Sequence, residues 1–235
     1  IGRGTDRFIS FGAYAAPEGH LFPAGRWDGR VAALEASVIV EDVSHAWMAG
    51  ETRSPVEGLT RPQADKAGAY TWCKAPRYAG QVYETGALAR QMIAGQALIR
   101  SLVAARGGSV TARVLARLLE LARVLPAMEG WVHRLRPGEP WCHAFELPDA
   151  GQAQGLVEAA RGSLGHWLEV RQGRIANYQI IAPTTWNFSP RDRAGVPGAL
   201  EQALAGLPVA DDPAMPAMVQ HVVRSFDPCM VCTVH

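Results

Sequence analysis

Residues 109–135 read SVTARVLARLLELARVLPAMEGWVHRL. Val114, Leu118, Leu121, Leu125, Met128, Val132 and Leu135 recur at alternating steps of four and three, an apolar stripe along one side of a helix. Arg113, Arg117, Glu120 and Arg123 fall mostly off that stripe. Ser109 is placed to cap the first turn, and Pro137-Gly138 is a stop signal. Pro126 removes one backbone donor and is expected to kink the helix. A helix of this length spans about 40 Å. Upstream, Leu88, Met92, Gly95, Ile99 and Leu102 carry the same spacing, and Gly107-Gly108 separates the two runs. The pair is expected to form a long antiparallel helical hairpin over 61–137. Helices this long bury their stripe in a bundle, so further helices are expected to be missing from the chain.

On either side of the hairpin the pattern changes. Residues 1–60 read as a β-rich irregular region, with Phe8 to Tyr14 and Val38 to Val43 punctuated by Pro17, Gly19, Pro23, Gly25 and Gly29. In 138–235, Leu164–Val170 and Ile175–Ile181 flank Gly173 as a β-hairpin. Residues 183–190 read as a loop, and 197–205 and 216–226 as helices. The class is α+β, dominated by a helix bundle with peripheral short β-strands and a β-hairpin, all of it one larger domain.

The composition narrows the functions. Of 235 residues, 48% are apolar and 19% charged, so a packed core forms. Lys plus Arg is 23 against 22 for Asp plus Glu, which leaves no basic field for nucleic acid. Four cysteines exclude a disulfide scaffold. The apolar stretch Val31–Val40 is interrupted by Glu35, so no membrane span or signal peptide is expected. The start at Ile1 and the stop at His235 suggest a length that is not that of a gene product.

The chain ends Ser225-Phe226-Asp227-Pro228-Cys229-Met230-Val231-Cys232-Thr233-Val234-His235. A Cys-x-x-Cys can be half a zinc site, a redox dithiol, two ligands of a larger metal centre, or two buried cysteines. Haem attachment is excluded, because Thr233 stands where a His is required. Cys73 and the Cys142-His143 pair are available as further ligands but isolated.

The string Asp-Pro-Cys-x-x-Cys-x-x-His resembles the C-terminal signature of the large subunit of nickel–iron hydrogenases. Three other segments resemble that family in the family's order. They are Trp72-Cys73-Lys74-Ala75-Pro76-Arg77-Tyr78 with Glu84-Thr85-Gly86-Ala87-Leu88-Ala89-Arg90, then Glu158-Ala159-Ala160-Arg161-Gly162-Ser163-Leu164-Gly165-His166-Trp167, then Asn177-Tyr178-Gln179-Ile180-Ile181-Ala182-Pro183-Thr184-Thr185-Trp186-Asn187.

The resemblance implies the C-terminal half of such a subunit and reversible heterolysis of dihydrogen to protons and electrons. It implies a nickel–iron centre whose iron carries carbon monoxide and cyanide. Nickel is held by four thiolates, soft ligands suited to it. Cys229 matches the terminal nickel ligand and proton acceptor, and Cys232 the thiolate bridging to iron. Ala182, Pro183 and Thr184 match the donors around cyanide. Arg161 matches the guanidinium over the open coordination side, and Asp227 its carboxylate partner. His235 and the carbonyl near Ile180 match ligands of a magnesium or iron ion near the C-terminus. His166 is equally suited to the metal surroundings or to the core. Lys74, Arg77 and Arg90 read as buried ion pairs organising the hairpin, and the seven tryptophans as core and interface anchors.

The family's other two thiolates are not in this sequence, so the implied partners are the N-terminal half of the large subunit and an iron–sulfur small subunit that takes the electrons. Ala160 and Gly86-Ala87 depart from the family and lean toward its uptake or hydrogen-sensing branches. His235 reads as a finished C-terminus, with the missing residues ahead of Ile1. The expected location is cytoplasmic or membrane-associated through partners, with periplasmic export by way of the small subunit as the other course. Two rivals stand beside this reading. One is a structural subunit related to the quinone-reducing respiratory complex, which lacks the nickel cysteines. The other is a zinc-binding module.

Overall fold

A computed structural model of the chain describes residues 1–16, 19–140, 142, 144–146, 148–208 and 215–229. The N-terminal region is a set of short strands: β1 (Phe8–Ser10), β2 (Ala13–Ala16), β3 (Gly19–Phe22), β4 (Gly25–Trp27), β5 (Val31–Ala32) and β6 (Ile39–Asp42). β4 pairs antiparallel with β1 and β5, and β2 with β3. β6 pairs with β7 (Ala75–Tyr78), with Ile39 opposite Tyr78.

The helical stretch has three parts: α1 (Ala87–Ile93), α2 (Ala97–Arg106) and α3 (Val110–Arg134). The expected first helix is therefore broken. Gly95 takes a φ of +78°, and the Gln96 side chain accepts from the amides of Leu98 (2.7 Å) and Ile99 (3.3 Å), capping α2. The four–three spacing survives the break, which is why periodicity alone reads through it. Ser109 caps α3 by accepting from the Ala112 amide at 3.4 Å. α3 runs on through Pro126 as a single helix.

The apolar stripe of α3 does not face the chain's own core. Its exposure rises from 42% at Val114 to 73% at Leu135. The inward side carries Ala112 and Ala116, fully buried, with Leu115 and Leu119 beside them. Small residues let α3 approach α1 and α2, and Phe8, Leu88, Met92, Ile99 and Val103 complete that core. The larger side chains point outward, as they would if more helices were to cover them.

The expected hairpin is the inner part of a three-stranded antiparallel sheet ordered β10-β9-β8, from β8 (Ala150–Ala159), β9 (Gly162–Arg171) and β10 (Arg174–Ile181). β8 is exposed along its first six residues and lacks a clean apolar alternation, so it left no sequence signal. The 183–190 stretch, expected as loop, opens with α4 (Pro183–Asn187); Pro183 suits a first helical turn. α5 (Ala199–Leu204) and α6 (Met215–Ser225) follow near their expected places. A second core joins Ile9, Phe11, Ile39, Tyr78, Trp167, Ile181 and Trp186. A third joins Val82, Ala199, Ala203, Val222 and Phe226 and seats α6. Among the described residues no helix is long and apolar enough to cross a membrane.

Candidate metal centre

Three chain segments meet where α6 ends. The helix stops at Ser225, and Asp227 takes a left-handed φ of +53°, which turns the chain back into the protein. Cys229 then lies half-buried, with its backbone amide donating to Thr184 Oγ1 at 3.1 Å. Thr184 is buried in the first turn of α4, behind Pro183 and the extended residue Ala182. A hydroxyl that accepts one bond still has its own proton to donate.

Arg161 sits in the turn between β8 and β9. Its Nε is 3.8 Å from Asp227 Oδ1, and Arg117 Nε of α3 is 3.9 Å from Asp227 Oδ2. These side chains are partly exposed, so the pairs orient the carboxylate more than they add stability. A narrow cleft beside them is lined by Glu84, Thr85, Arg113, Arg117, Arg161 and Asp227.

A buried polar frame holds these pieces. Gly162, at φ +136°, lets the β8–β9 turn press on the next segment: a Cβ there would lie 2.6 Å from Thr85 Oγ1 and 2.8 Å from the Gly86 nitrogen. The Ser163 amide donates to Thr85 Oγ1 at 2.6 Å. The Asn187 side chain exchanges two 3.0 Å bonds with the Thr85 backbone, tying α4 to the start of α1. Arg90 reaches from α1 to Glu120 on α3, to Glu158 at 2.7 Å and to the Ala159 and Ala160 carbonyls at 3.2 and 3.0 Å. It thereby fixes the two residues before Arg161. Burial pushes the Glu158 carboxyl above the usual range, against the pull of the Arg90 charge.

Arg113 forms a fork with Glu84 at 2.7 and 2.8 Å, and both side chains are 2% exposed. Its guanidinium also lies 3.7 Å from the centre of the Phe226 ring. The sequence reading assigned no role to Arg113, Arg117, Glu84, Thr85 or Asn187. Their partners are 29 residues away in the nearest case and 112 in the farthest, so no local spacing connects them.

Other expectations divide. Arg90 does link helices. Arg77 instead secures the 189–196 loop through Asp192 (2.8 Å), Ser189 and the Pro190 and Val196 carbonyls. Lys74 joins Glu41 at 3.3 Å to Thr60 and Gln179, both at 3.0 Å. Neither touches the hairpin, since both project from the β7 region. His166 is half-buried, with Nδ1 2.7 Å from the Tyr178 hydroxyl across the sheet. Trp167 and Trp186 are core residues. Ile180, on β10, lines a cavity of about 260 Å³ with Glu41, Thr60, Lys74, Thr184 and Thr185. Cys232 and His235 lie outside the described residues.

The model of the nickel-dependent hydrogenase family matches residues 1–235. The chain belongs to that family. Like this chain in sequence is the periplasmic NiFeSe hydrogenase large subunit of Desulfomicrobium baculatum, 33% identical over 258 residues, covering 100% of this chain and 50% of the relative. The uptake hydrogenase large subunit of Azotobacter chroococcum is 33% identical over 290 residues, covering 97% and 48%. Among solved structures, the NiFeSe hydrogenase of Desulfovibrio vulgaris Hildenborough in the as-isolated oxidised state superposes with a TM-score of 0.91 at 35% identity, covering 100% of this chain and 54% of that one. The chain spans about half the length of these hydrogenase relatives.

The donor chemistry here suits one side of a nickel-dependent hydrogenase centre. A half-buried cysteine, a buried hydroxyl with a proton to give, and a guanidinium–carboxylate pair come from the three segments that meet here. Among the described residues, no group of three or more His, Cys, Asp or Glu forms a metal site.

Proposed function

We propose that the chain supplies the C-terminal half of a nickel–iron hydrogenase large subunit, whose reaction is the reversible heterolysis of dihydrogen to two protons and two electrons. The observation that carries the reading is the Cys229–Thr184 hydrogen bond. It brings the Cys-x-x-Cys segment and the Pro-Thr-Thr segment to one point, beside the Arg161–Asp227 pair.

When bound, the nickel–iron centre supplies the Lewis acidity and redox capacity that the reaction needs. Cys229 and Cys232 would hold it as thiolates, the soft donors nickel takes in such a site. Thr184 Oγ1, which accepts from the Cys229 amide, would donate to an anionic cyanide ligand, and Ala182 and Pro183 would line that side. Cys229 Sγ would take up the proton released in heterolysis. Arg161 would bring its charge to the bound centre, with Asp227 as its carboxylate neighbour. A magnesium or iron ion bound by the Ile180 carbonyl and His235 is the finer part of the same reading.

The remaining thiolates and the cover for the α3 stripe come from the N-terminal half. Electrons leave through an iron–sulfur small subunit, and attachment or export travels with that partner. The presence of both cysteines disfavours the respiratory-complex reading. The family match disfavours a zinc module.

The test is metal analysis and infrared spectroscopy of the chain co-produced with its missing half and small subunit. Nickel is expected, with iron in excess of it because of the small subunit's iron–sulfur clusters, together with carbon monoxide and cyanide bands. Zinc in place of nickel, or no nickel and no bands, would overturn the proposal. The chain produced by itself is expected to hold no nickel–iron centre.

A further inference from the structure

We infer that Arg117 is a positioning residue for the metal-ligand segment, holding the Ser225–Cys229 turn in place from α3. The inference rests on the reading of Cys229 as a ligand.

Four contacts converge on this turn from one helix face. Arg117 donates from Nη2 to the Ser225 carbonyl. That carbonyl belongs to the last residue of α6, where helix carbonyls lack partners and a positive charge is favourable. The Arg117 Nε lies 3.9 Å from Asp227 Oδ2, on the opposite oxygen from Arg161. One turn earlier on α3, Arg113 lies against the Phe226 ring and donates to Ser225 Oγ at 3.4 Å.

Such restraint is needed because Asp227 is a strained position. It adopts a left-handed backbone as a non-glycine residue and also precedes Pro228. A residue in that conformation persists only where its surroundings over-determine it. Two guanidiniums from segments far apart in sequence lie near its two oxygens at 3.8 and 3.9 Å, and Cys229 follows two residues later. Arg113 is locked by Glu84 and serves the core as well. Arg117 is the half-exposed member, and its contacts within this set are all to the turn.

The test uses the assembled heterodimer with Arg117→Ala, Arg117→Lys and the parent enzyme. Amide exchange of Phe226, Asp227 and Cys229 is read alongside nickel content and the infrared bands. With Arg117→Ala, exchange at these amides is expected to speed up by about tenfold or more. The carbon monoxide band is expected to move, while exchange in the α1–α2 core stays at parent values. Arg117→Lys, which keeps a charged donor, is expected to restore most of the protection and the band position. Unchanged exchange and bands in Arg117→Ala would overturn the inference, as would an Arg117→Lys enzyme no better than Arg117→Ala. If the alanine variant does not assemble, Arg117→Gln, which keeps a donor for the carbonyl but loses the charge, carries the same comparison. A parent enzyme without carbon monoxide and cyanide bands would instead refute the nickel–iron reading, and the exchange measurement would still decide the role of Arg117.

Discussion

The backbone amide of Cys229 and the hydroxyl of Thr184 are joined by a 3.1 Å hydrogen bond across 45 residues of sequence. The bond ties the backbone at Cys229 to α4 through a hydroxyl that keeps its own proton to donate. Thr184→Val removes both the tie and that proton and leaves the Cys229 amide unpaired, at a cost of about 1–3 kcal/mol. The assembled enzyme is expected to melt lower and its cyanide bands to shift. Thr184→Ser should retain the parent bands; equal shifts in the two variants would show that the methyl, not the hydroxyl, matters.

Cys229→Ala tests the ligand assignment directly. Removing one thiolate is expected to reduce nickel in the purified heterodimer to background, while the fold is retained because the side chain belongs to none of the three cores. Full nickel occupancy with hydrogen oxidation intact would sink the assignment.

Gly162→Ala probes how Arg161 is presented. The added methyl would meet Thr85 Oγ1 at 2.6 Å and the Gly86 nitrogen at 2.8 Å, at a φ of +136° that side chains rarely adopt. A destabilisation of about 2 kcal/mol or more is expected. Hydrogen turnover is expected to fall further than stability alone explains, since Arg161 must move. Parent-level turnover would mean that the turn has slack the structure does not display.

The Arg113–Glu84 fork gives a clean thermodynamic cycle. Arg113→Met strands a carboxylate that is 2% exposed and is expected to cost about 3–5 kcal/mol. Adding Glu84→Gln should return part of that loss, because the stranded charge is gone. Additive losses in the double variant, read by chemical denaturation, would argue that the two residues act separately.

Stability toward acid should depend on Asp42. Burial raises its affinity for a proton, but bonds from the Ser44 amide, the Thr52 hydroxyl and the Arg193 amide more than offset this and hold it below the ordinary range. A carboxyl depressed in the folded state stabilises above its unfolded pKa of about 4, and that stability is lost as pH falls through the folded value. Asp42→Asn is expected to narrow the gap in denaturation midpoint between pH 6 and pH 3. Glu158, raised by burial, has the opposite slope: its contribution weakens as pH rises through the folded value. An unchanged gap in Asp42→Asn would remove Asp42 from the acid response.

Much of this was legible in the sequence where chemistry is local. The cap at Ser109, the position of α6 and the strands on either side of Gly173 follow from short-range spacing. The four motifs named the segments that meet at Cys229. Helix periodicity could not see the break at Gly95, because the glycine keeps the step while reversing its backbone. Nor could it tell which apolar side of α3 faces inward, since alanines at 112 and 116 carry little weight beside a row of leucines. β8 escaped notice because an exposed strand has no need to alternate. The arginine contacts were out of reach for a different reason. Arg113 and Arg117 look like solvated helix residues until folding brings Glu84 and Ser225 to them, and Arg90, read as a buried ion pair, gave no sign that Glu158 was one of its partners.

The outward row from Val114 to Leu135 has a consequence for how the molecule is made. Such a ridge adheres to any similar surface, including the same ridge on another copy. Until its counterpart covers it, the concentration of single chains is limited by clumping and not by the folding of their cores. On the proposed half-subunit reading, yield of usable protein should follow the supply of the covering half, and producing the two together should matter more than lowering the temperature or strengthening any one contact.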